Sequence, residues 1–413
     1  MLRRDVLRAA LEAVAENGGA PGVDGERLET IAATAQSKEP FRQAQGPEPV
    51  EGQWLETLRE ELRTKSYRPS PVRRVWIAKR SGEGERPLGI PTVKDRVVQS
   101  AMYLVLMPVY EADFHDQSYG FRPKRRAHQA MESIRSAAHT GRVEVLDADL
   151  SKFFDMIPHR ELVRELARRI SDGSILSLVK GWLRAPIVEE SKEGKRKVTP
   201  NRQGTPQGGV ISPLLANIYL NPLDHRINGS KRQRHRMVRY ADDFVVLSPP
   251  GRSAEARQEI ERWLESRGLA FNASKTRTVN LTREGLRFLG FGVKVRRSRN
   301  GRPYAHVEAT GESCQALREK VRGILNHRTQ WRAIAEVVGE VNAVVRGWSG
   351  YFHYGNSAGV FGKMRHWTSN RLRRWLWRKH GCCGGLHKHY TQDQLEERYG
   401  LWSLPRNAAW TTA

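Results

Sequence analysis

Two aspartates stand side by side at Asp242 and Asp243, where the chain has to reverse between two apolar runs. Met237-Val238-Arg239-Tyr240 before them and Phe244-Val245-Val246-Leu247 after them are rich in β-branched and aromatic residues and predict a pair of strands. A tight turn between those strands pushes both carboxylates out together, an unfavourable arrangement unless something positive binds them. Alone, the pair reads as an acidic surface turn. Val145-Leu146-Asp147-Ala148-Asp149-Leu150 changes that reading, because strand alternation puts Asp147 and Asp149 on one face, opposite Leu146 and Leu150. An acid ending an apolar strand is costly to bury unless it is paired or metal-bound. Placing Asp149 beside Asp242 and Asp243 would make a three-carboxylate cluster on adjacent strands. Such a cluster suits two Mg²⁺ ions, which take oxygen ligands and substrate phosphates. Two ions of this kind activate an attacking hydroxyl and stabilise the leaving oxygen of an in-line phosphoryl transfer.

The elements that have to position these acids follow from pattern. Residues 1–35 read as helical with a turn at Gly18-Gly19-Ala20-Pro21-Gly22, and residues 36–53 have no apolar period and read as a loop or insertion. Val72 to Ala78 alternates like a strand, and Leu88-Gly89-Ile90-Pro91 closes a hairpin with it. Helices are predicted over 95–111, 214–220 and 254–268, strands over 143–150 and 288–293. Beyond about residue 310 the pattern is almost wholly helical, with many tryptophans and arginines. Phe361, Met364, Trp367, Leu372, Trp375 and Leu376 recur at helical steps and are expected in the core, with Lys363, Arg365, Arg371, Arg373, Arg374, Arg378 and Lys379 on the outer face.

Charge bounds the partners. The 413 residues carry 70 Lys+Arg against 45 Asp+Glu, a formal net charge of +25. Nucleic acid is the leading partner for such an excess, because each neutralised phosphate releases counterions. No apolar stretch is long enough to span a bilayer, so no membrane role is expected. Three cysteines, one isolated and two adjacent, give neither a disulfide framework nor CxxC spacing, which fits a reducing, cytoplasmic setting and excludes a cysteine-based zinc module.

Asp149-Leu-Ser-Lys-Phe-Phe-Asp155, Gln207-Gly-Gly-Val-Ile-Ser-Pro-Leu214 and Tyr240-Ala-Asp-Asp243 resemble successive motifs of a reverse transcriptase, closest to the bacterial group II intron reverse transcriptase/maturase family. Arg86-Pro-Leu-Gly-Ile-Pro-Thr-Val-Lys-Asp-Arg96, Gln117-Ser-Tyr-Gly-Phe-Arg-Pro123, Ser274-Lys-Thr-Arg277 and Phe288-Leu-Gly-Phe291 extend the resemblance in the expected order. Arg346-Gly-Trp-Ser-Gly-Tyr-Phe352 is similar to the family's maturase segment.

The resemblance implies an α+β right-hand polymerase. Fingers and palm would occupy residues 1–295, with a small antiparallel sheet carrying helices on one face; an all-helical thumb/maturase domain would span 305–380, followed by a short tail at 381–413. Asp149 and Asp242 would be the main ligands of Mg²⁺ (Mn²⁺ as a substitute), assisted by Asp243. Lys275 resembles the lysine that protonates the leaving pyrophosphate, and a plain phosphate contact stays open for it. Phe154 matches the steric gate, a ring against the sugar that disfavours the 2′-hydroxyl. Lys79 and Arg86 resemble the residues that hold the incoming triphosphate, although the loop from Arg80 to Glu85 is one residue longer than the family's form and Arg80 is an alternative to Lys79. Gln207 and Gly208 would line the nucleotide pocket, and Phe288, Leu289 and Gly290 would support the primer end. Arg122 is a candidate for template phosphates or for pairing with an acidic neighbour. Asp155 reads as the cap of the helix beginning near Pro158, and Asp147 as an ion-pair partner or supporting carboxylate outside the core site.

The implied reaction is addition of deoxynucleotides to a DNA primer 3′-end on an RNA template, with an RNA–DNA duplex on the basic thumb and group II intron RNA as the expected template. Two alternatives stay open: an RNA-binding splicing factor with secondary polymerase activity, and an intron-independent reverse transcriptase in a defence or retroelement-derived system. The segment ahead of Gly22 is short, and the chain ends soon after the thumb. No full DNA-binding domain or endonuclease is therefore expected.

Overall fold

A computed structural model describes residues 1–28, 50–78, 84–190, 194–229, 234–382 and 384–410. Most of the loop expected at 36–53, together with Lys79 and Arg80, lies outside the described residues.

The carboxylates sit on a four-stranded antiparallel sheet. In chain order, β1 is Val72–Ala78, β2 Glu85–Ile90, β3 Glu144–Ala148, β4 Ile187–Glu190, β5 Arg196–Thr199, β6 Arg236–Tyr240, β7 Asp243–Ser248, β8 Arg277–Asn280, β9 Leu286–Phe288, β10 Phe291–Arg297 and β11 Pro303–Ala309. The central sheet runs β6-β7-β3-β8. Phe244, Val245, Val246 and Leu247 on β7 are all fully buried, and alternate ones enter different cores. Phe244 and Val246 join Leu146 in a core built on the helices Val93–Glu111, Ser212–Asn228 and Ser253–Ser266. Val245 and Leu247 join Val145 and Val238 in a second core, with helix Ala127–His139 and the C-terminal helices. Helices therefore cover both faces of this sheet, not one. An antiparallel strand with a single wet face would alternate, and β7 does not.

A second sheet, order β2-β1-β4-β5, joins the β1–β2 hairpin to β4 in parallel, with Val72 opposite Ile187. A third, β11-β10-β9, extends to Ala309, so residues 305–309 form a strand rather than the start of the helical unit. That unit comprises helices Gly311–Ile324, Ile334–Phe352 and Ala358–Lys379. Residues after 380 pack onto it: Tyr390, Leu395, Leu401 and Leu404 are buried in the second core. Among the described residues, no helix is long and apolar enough to cross a membrane.

Candidate active site

Tyr240 pairs with Asp243 across β6 and β7, which leaves Ala241 and Asp242 as a two-residue turn. Ala241 has φ +62° and Asp242 does not share that sign, the II′ pattern whose twist suits a hairpin. The turn is seated from behind. A Cβ on Gly120 would lie 2.3 Å from the Ala241 backbone nitrogen, so only glycine allows this approach. Arg239, wholly buried, donates through Nη1 to the Ala241 carbonyl (2.8 Å) and to Asn217 Oδ1 (2.8 Å). Its Nε and Nη2 meet both carboxylate oxygens of the equally buried Asp224 at 2.5–3.0 Å. Asn217 Nδ2 then donates to the Gly120 carbonyl (2.8 Å), closing the frame.

Asp149 lies one residue beyond the β3–β7 pair Ala148–Phe244, which sets it next to Asp243. The segment after Phe271 holds it. Asn272 N–H donates to the Asp149 carbonyl (2.8 Å), Asn272 Nδ2 donates to Asp149 Oδ2 (2.9 Å), and Lys275 Nζ stands 3.3 Å from that same oxygen. Burial pushes the Asp242 carboxyl above the usual carboxylate range, and the Asp149 charge adds to it. Asp243 is pushed up to about 6, first by loss of water and then by the charges of Asp242 and Asp149. It remains exposed on the surface of the site, but the surrounding protein still removes much of its hydration. Lys275 acts in the opposite direction on both acids.

Mutually repelling carboxylates call for a cation. Among the described residues, no three acidic, histidine or cysteine side chains stand close enough to form a finished cage. Mg²⁺ is a cation bound by one or two carboxylates and completed by substrate phosphates and water. Asp149, Asp242 and Asp243 fit that donor chemistry. Asp147 belongs to a separate interaction, with Arg277 Nε 3.2 Å from its Oδ2.

Phe154 follows Lys152, whose left-handed backbone (φ +46°) turns the chain after β3. Its ring is half-buried and meets Phe153 edge-on at 5.3 Å. Its carbonyl accepts from Thr205 N–H (2.7 Å), which draws the Gln207 loop alongside. Gly208 has φ +113°, and a Cβ there would lie 2.4 Å from the Gly89 carbonyl oxygen. The Gln207 carbonyl accepts from Gly89 N–H at 2.5 Å. The Gln207-Gly208 backbone is thereby zipped to β2, the strand that carries Arg86. Arg86 is exposed and has no acidic partner among the described residues. Asp155 caps no helix: His159–Ala167 starts at Pro158 without a side-chain cap bond, and the half-buried Asp155 carboxyl, raised by desolvation, has Arg74 and Lys152 as its nearby cations.

Other candidates turn inward. The Arg122 side chain is only 2% exposed, with Nη2 2.7 Å from Glu111 and Nη1 donating to the His115 and Ser118 carbonyls, so it has no free face for a template phosphate. Phe288 is buried in the second core. The turn that follows it, with Leu289 at φ +51° and Gly290 at φ +80°, is half-buried and is tied to the helical unit by Tyr351 Oη donating to the Leu289 carbonyl (3.1 Å). On helix Ala358–Lys379, Arg373 is buried against the Tyr390 carbonyl and Lys379 is drawn back onto loop carbonyls, whereas Lys363, Arg374 and Arg378 are exposed. The sequence reading missed Arg239, Asp224, Asn217 and Asn272. Two of them carried a signal: a charge inside an apolar strand or helix face implies a buried partner, and Arg239 and Asp224 each break such a run.

Residues 77–293 match the family described as reverse transcriptase (RNA-dependent DNA polymerase). Residues 314–392 match the group II intron, maturase-specific domain. Protein YkfC of Escherichia coli (strain K12) is 36% identical over 285 residues, 60% of this chain and 73% of that protein. Group II intron-encoded protein LtrA of Lactococcus lactis subsp. cremoris is 30% identical over 312 residues, 59% of this chain and 50% of that protein, so the chain spans about half of LtrA's length. Among solved structures, telomerase from Candida albicans aligns with a TM-score of 0.45 at 14% identity, over 81% of this chain and 67% of that one.

Proposed function

The chain belongs to the reverse transcriptase family and carries a group II intron maturase-specific domain behind the polymerase domain, and from that premise we propose that Asp149, Asp242 and Asp243 are the catalytic carboxylates of an RNA-directed DNA polymerase. The observation that carries this reading is the seating of Asp149 beside the Asp242-Asp243 turn, where burial first and neighbouring charges after it raise two of the acids. Bound Mg²⁺ would supply Lewis-acid activation of the primer 3′-hydroxyl and neutralise charge on the leaving pyrophosphate. The residues of the chain orient and exclude. Arg86, and Lys79 or Arg80, hold the triphosphate; the Gln207-Gly208 backbone lines the pocket; the Phe154 ring stands against the sugar 2′ position. Lys275, now paired with Asp149, is placed to give a proton or a hydrogen bond to the departing phosphate. The Leu289-Gly290 turn supports the primer end.

The natural substrates in this reading are deoxynucleoside triphosphates, a DNA primer and an RNA template, with group II intron RNA as the preferred template. The maturase-specific match at 314–392 favours a second role, holding folded intron RNA during splicing. Primer extension on an RNA template by the purified chain, with and without Mg²⁺, tests the polymerase. Extension dependent on Mg²⁺ and on deoxynucleotides supports the reading; no extension under any divalent cation overturns it.

A further inference from the structure

Trp331 is 83% exposed, the most exposed large apolar side chain among the described residues. Scattered apolar surface residues need no explanation. The frame around this one does, because the loop from Leu325 to Arg332 is pinned at nearly every step. Lys379 Nζ donates to the Gln330 carbonyl (2.5 Å) and the Arg332 carbonyl (2.9 Å), so a single ammonium clamps the backbone on both sides of Trp331. Trp375 Nε1 donates to the Asn326 carbonyl (3.1 Å), and Arg371 Nη2 to the Leu325 carbonyl (2.7 Å). Arg332 is fixed in turn by Glu336 and Glu340, each at 2.5 Å. Holding an indole out in water on a locked loop gains nothing for the fold, but it lowers the ordering cost of binding something to its face.

The surroundings select the partner. Arg328 in the loop, Arg374 and Arg378 on the helix that clamps it, and Arg322 one turn before it are all exposed and have no acidic partner among the described residues. Three of them, Arg322, Arg378 and Arg374, lie near enough to Arg371 to lower it, after the larger effect of its desolvation. A protein-binding tryptophan is ringed by neutral contacts that exclude water. An indole on a loop flanked by exposed guanidiniums, of which Arg322 lies over the Trp367 ring, instead matches a base face with phosphates on either side. We infer that Trp331 is a stacking platform for an unpaired nucleobase, with Arg322, Arg328, Arg374 and Arg378 gripping the flanking phosphates. The inference rests on the helical unit being a nucleic-acid surface and adds a specific site for single-stranded or bulged bases.

The test compares full-length wild type, Trp331→Ala and Trp331→Phe for binding a blunt RNA–DNA duplex and the same duplex with a single-stranded tail of about ten nucleotides, made once in RNA and once in DNA. Trp331→Ala is expected to lose roughly tenfold affinity for a tailed duplex and none for the blunt one, with Trp331→Phe recovering most of it. The two tails tell which strand chemistry is preferred. Tailed binding equal to wild type overturns the inference. So does an equal loss on blunt duplex, or a wild-type dimer that dissociates in Trp331→Ala. Photocrosslinking of a bromouridine-substituted tail to a peptide other than the one containing Trp331 also overturns it. Wild-type primer extension and blunt-duplex binding report on the polymerase reading separately.

Discussion

Arg239 and Asp224 form an ion pair in which neither side chain reaches solvent, and the same guanidinium holds the carbonyl of Ala241 in the turn that carries Asp242. The turn residue is an alanine at positive φ, so its geometry depends on this support from behind. Removing one partner of a buried pair leaves an uncompensated charge, at a cost of about 3–5 kcal/mol. Asp224→Asn and Arg239→Ala are therefore expected to lower the urea midpoint markedly. Arg239→Lys keeps the charge but not the fork that reaches Asn217 and Ala241 together. Its expected signature is a smaller stability loss with a disproportionate fall in kcat and little change in KM for deoxynucleotides; an unchanged kcat would show that the turn does not need this clamp.

Asp243 is expected to tie activity and stability to pH in opposite directions. Its carboxyl is raised from 3.8 to about 6, so between those values the folded chain holds a proton that the unfolded chain has released. The stability due to this group is full below the unfolded value and is lost as pH rises through 6. At pH 7 the charged site opposes folding. Asp243→Asn is expected to raise Tm at pH 7, with the gain vanishing below about pH 4, while primer extension collapses. Added Mg²⁺ should raise the wild-type Tm at pH 7 and leave Asp243→Asn less affected. Scanning calorimetry across pH, with and without Mg²⁺ and EDTA, reads both effects; a variant less stable than wild type at neutral pH contradicts the electrostatic account.

Phe154 stands half-exposed after the left-handed turn at Lys152, with Phe153 braced against its edge. Replacing it with Val or Ala opens space where a 2′-hydroxyl would sit. The expected result is ribonucleotide incorporation rising by orders of magnitude relative to deoxynucleotide, measured as the ratio of the two kcat/KM values. A ratio equal to that of wild type removes Phe154 from the sugar pocket.

The acidic β6–β7 hairpin is legible in the sequence because its signals are local: two apolar runs, a two-residue reversal and paired acids. Asp149 is legible for the same reason, as an acid that ends an apolar strand. Inward-facing cations are not. Arg122 finds its partner on Glu111 and on carbonyls of the loop between, and Arg373 finds the carbonyl of Tyr390, contacts that no helical spacing foretells. The helices on both faces of the central sheet were written in the unbroken run from Phe244 to Leu247, which lacks the alternation of a half-exposed strand. Strand β11 alternates inward at Ala305, Val307 and Ala309 into the second core beside helix Ala127–His139, but two of those three residues are alanines, too small to mark a strand in the sequence.

Gly208 offers the sharpest separation of pocket from catalysis, because two independent constraints meet there. Its φ of +113° is a conformation side chains rarely adopt, and a Cβ would lie 2.4 Å from the Gly89 carbonyl oxygen, a backbone atom that cannot swing aside. Gly208→Ala must therefore push the Gln207 loop off β2 and stretch the bond from Gly89 N–H to the Gln207 carbonyl. The carboxylates lie on a different sheet and keep their seating, since Arg239, Gly120 and Asn272 are untouched. KM for deoxynucleotides is expected to rise by at least tenfold, with RNA–DNA duplex affinity unchanged and kcat at saturating nucleotide reduced much less. Loss of kcat with an unaltered KM would mean that the strand-to-loop zipper serves the chemical step and not the nucleotide pocket.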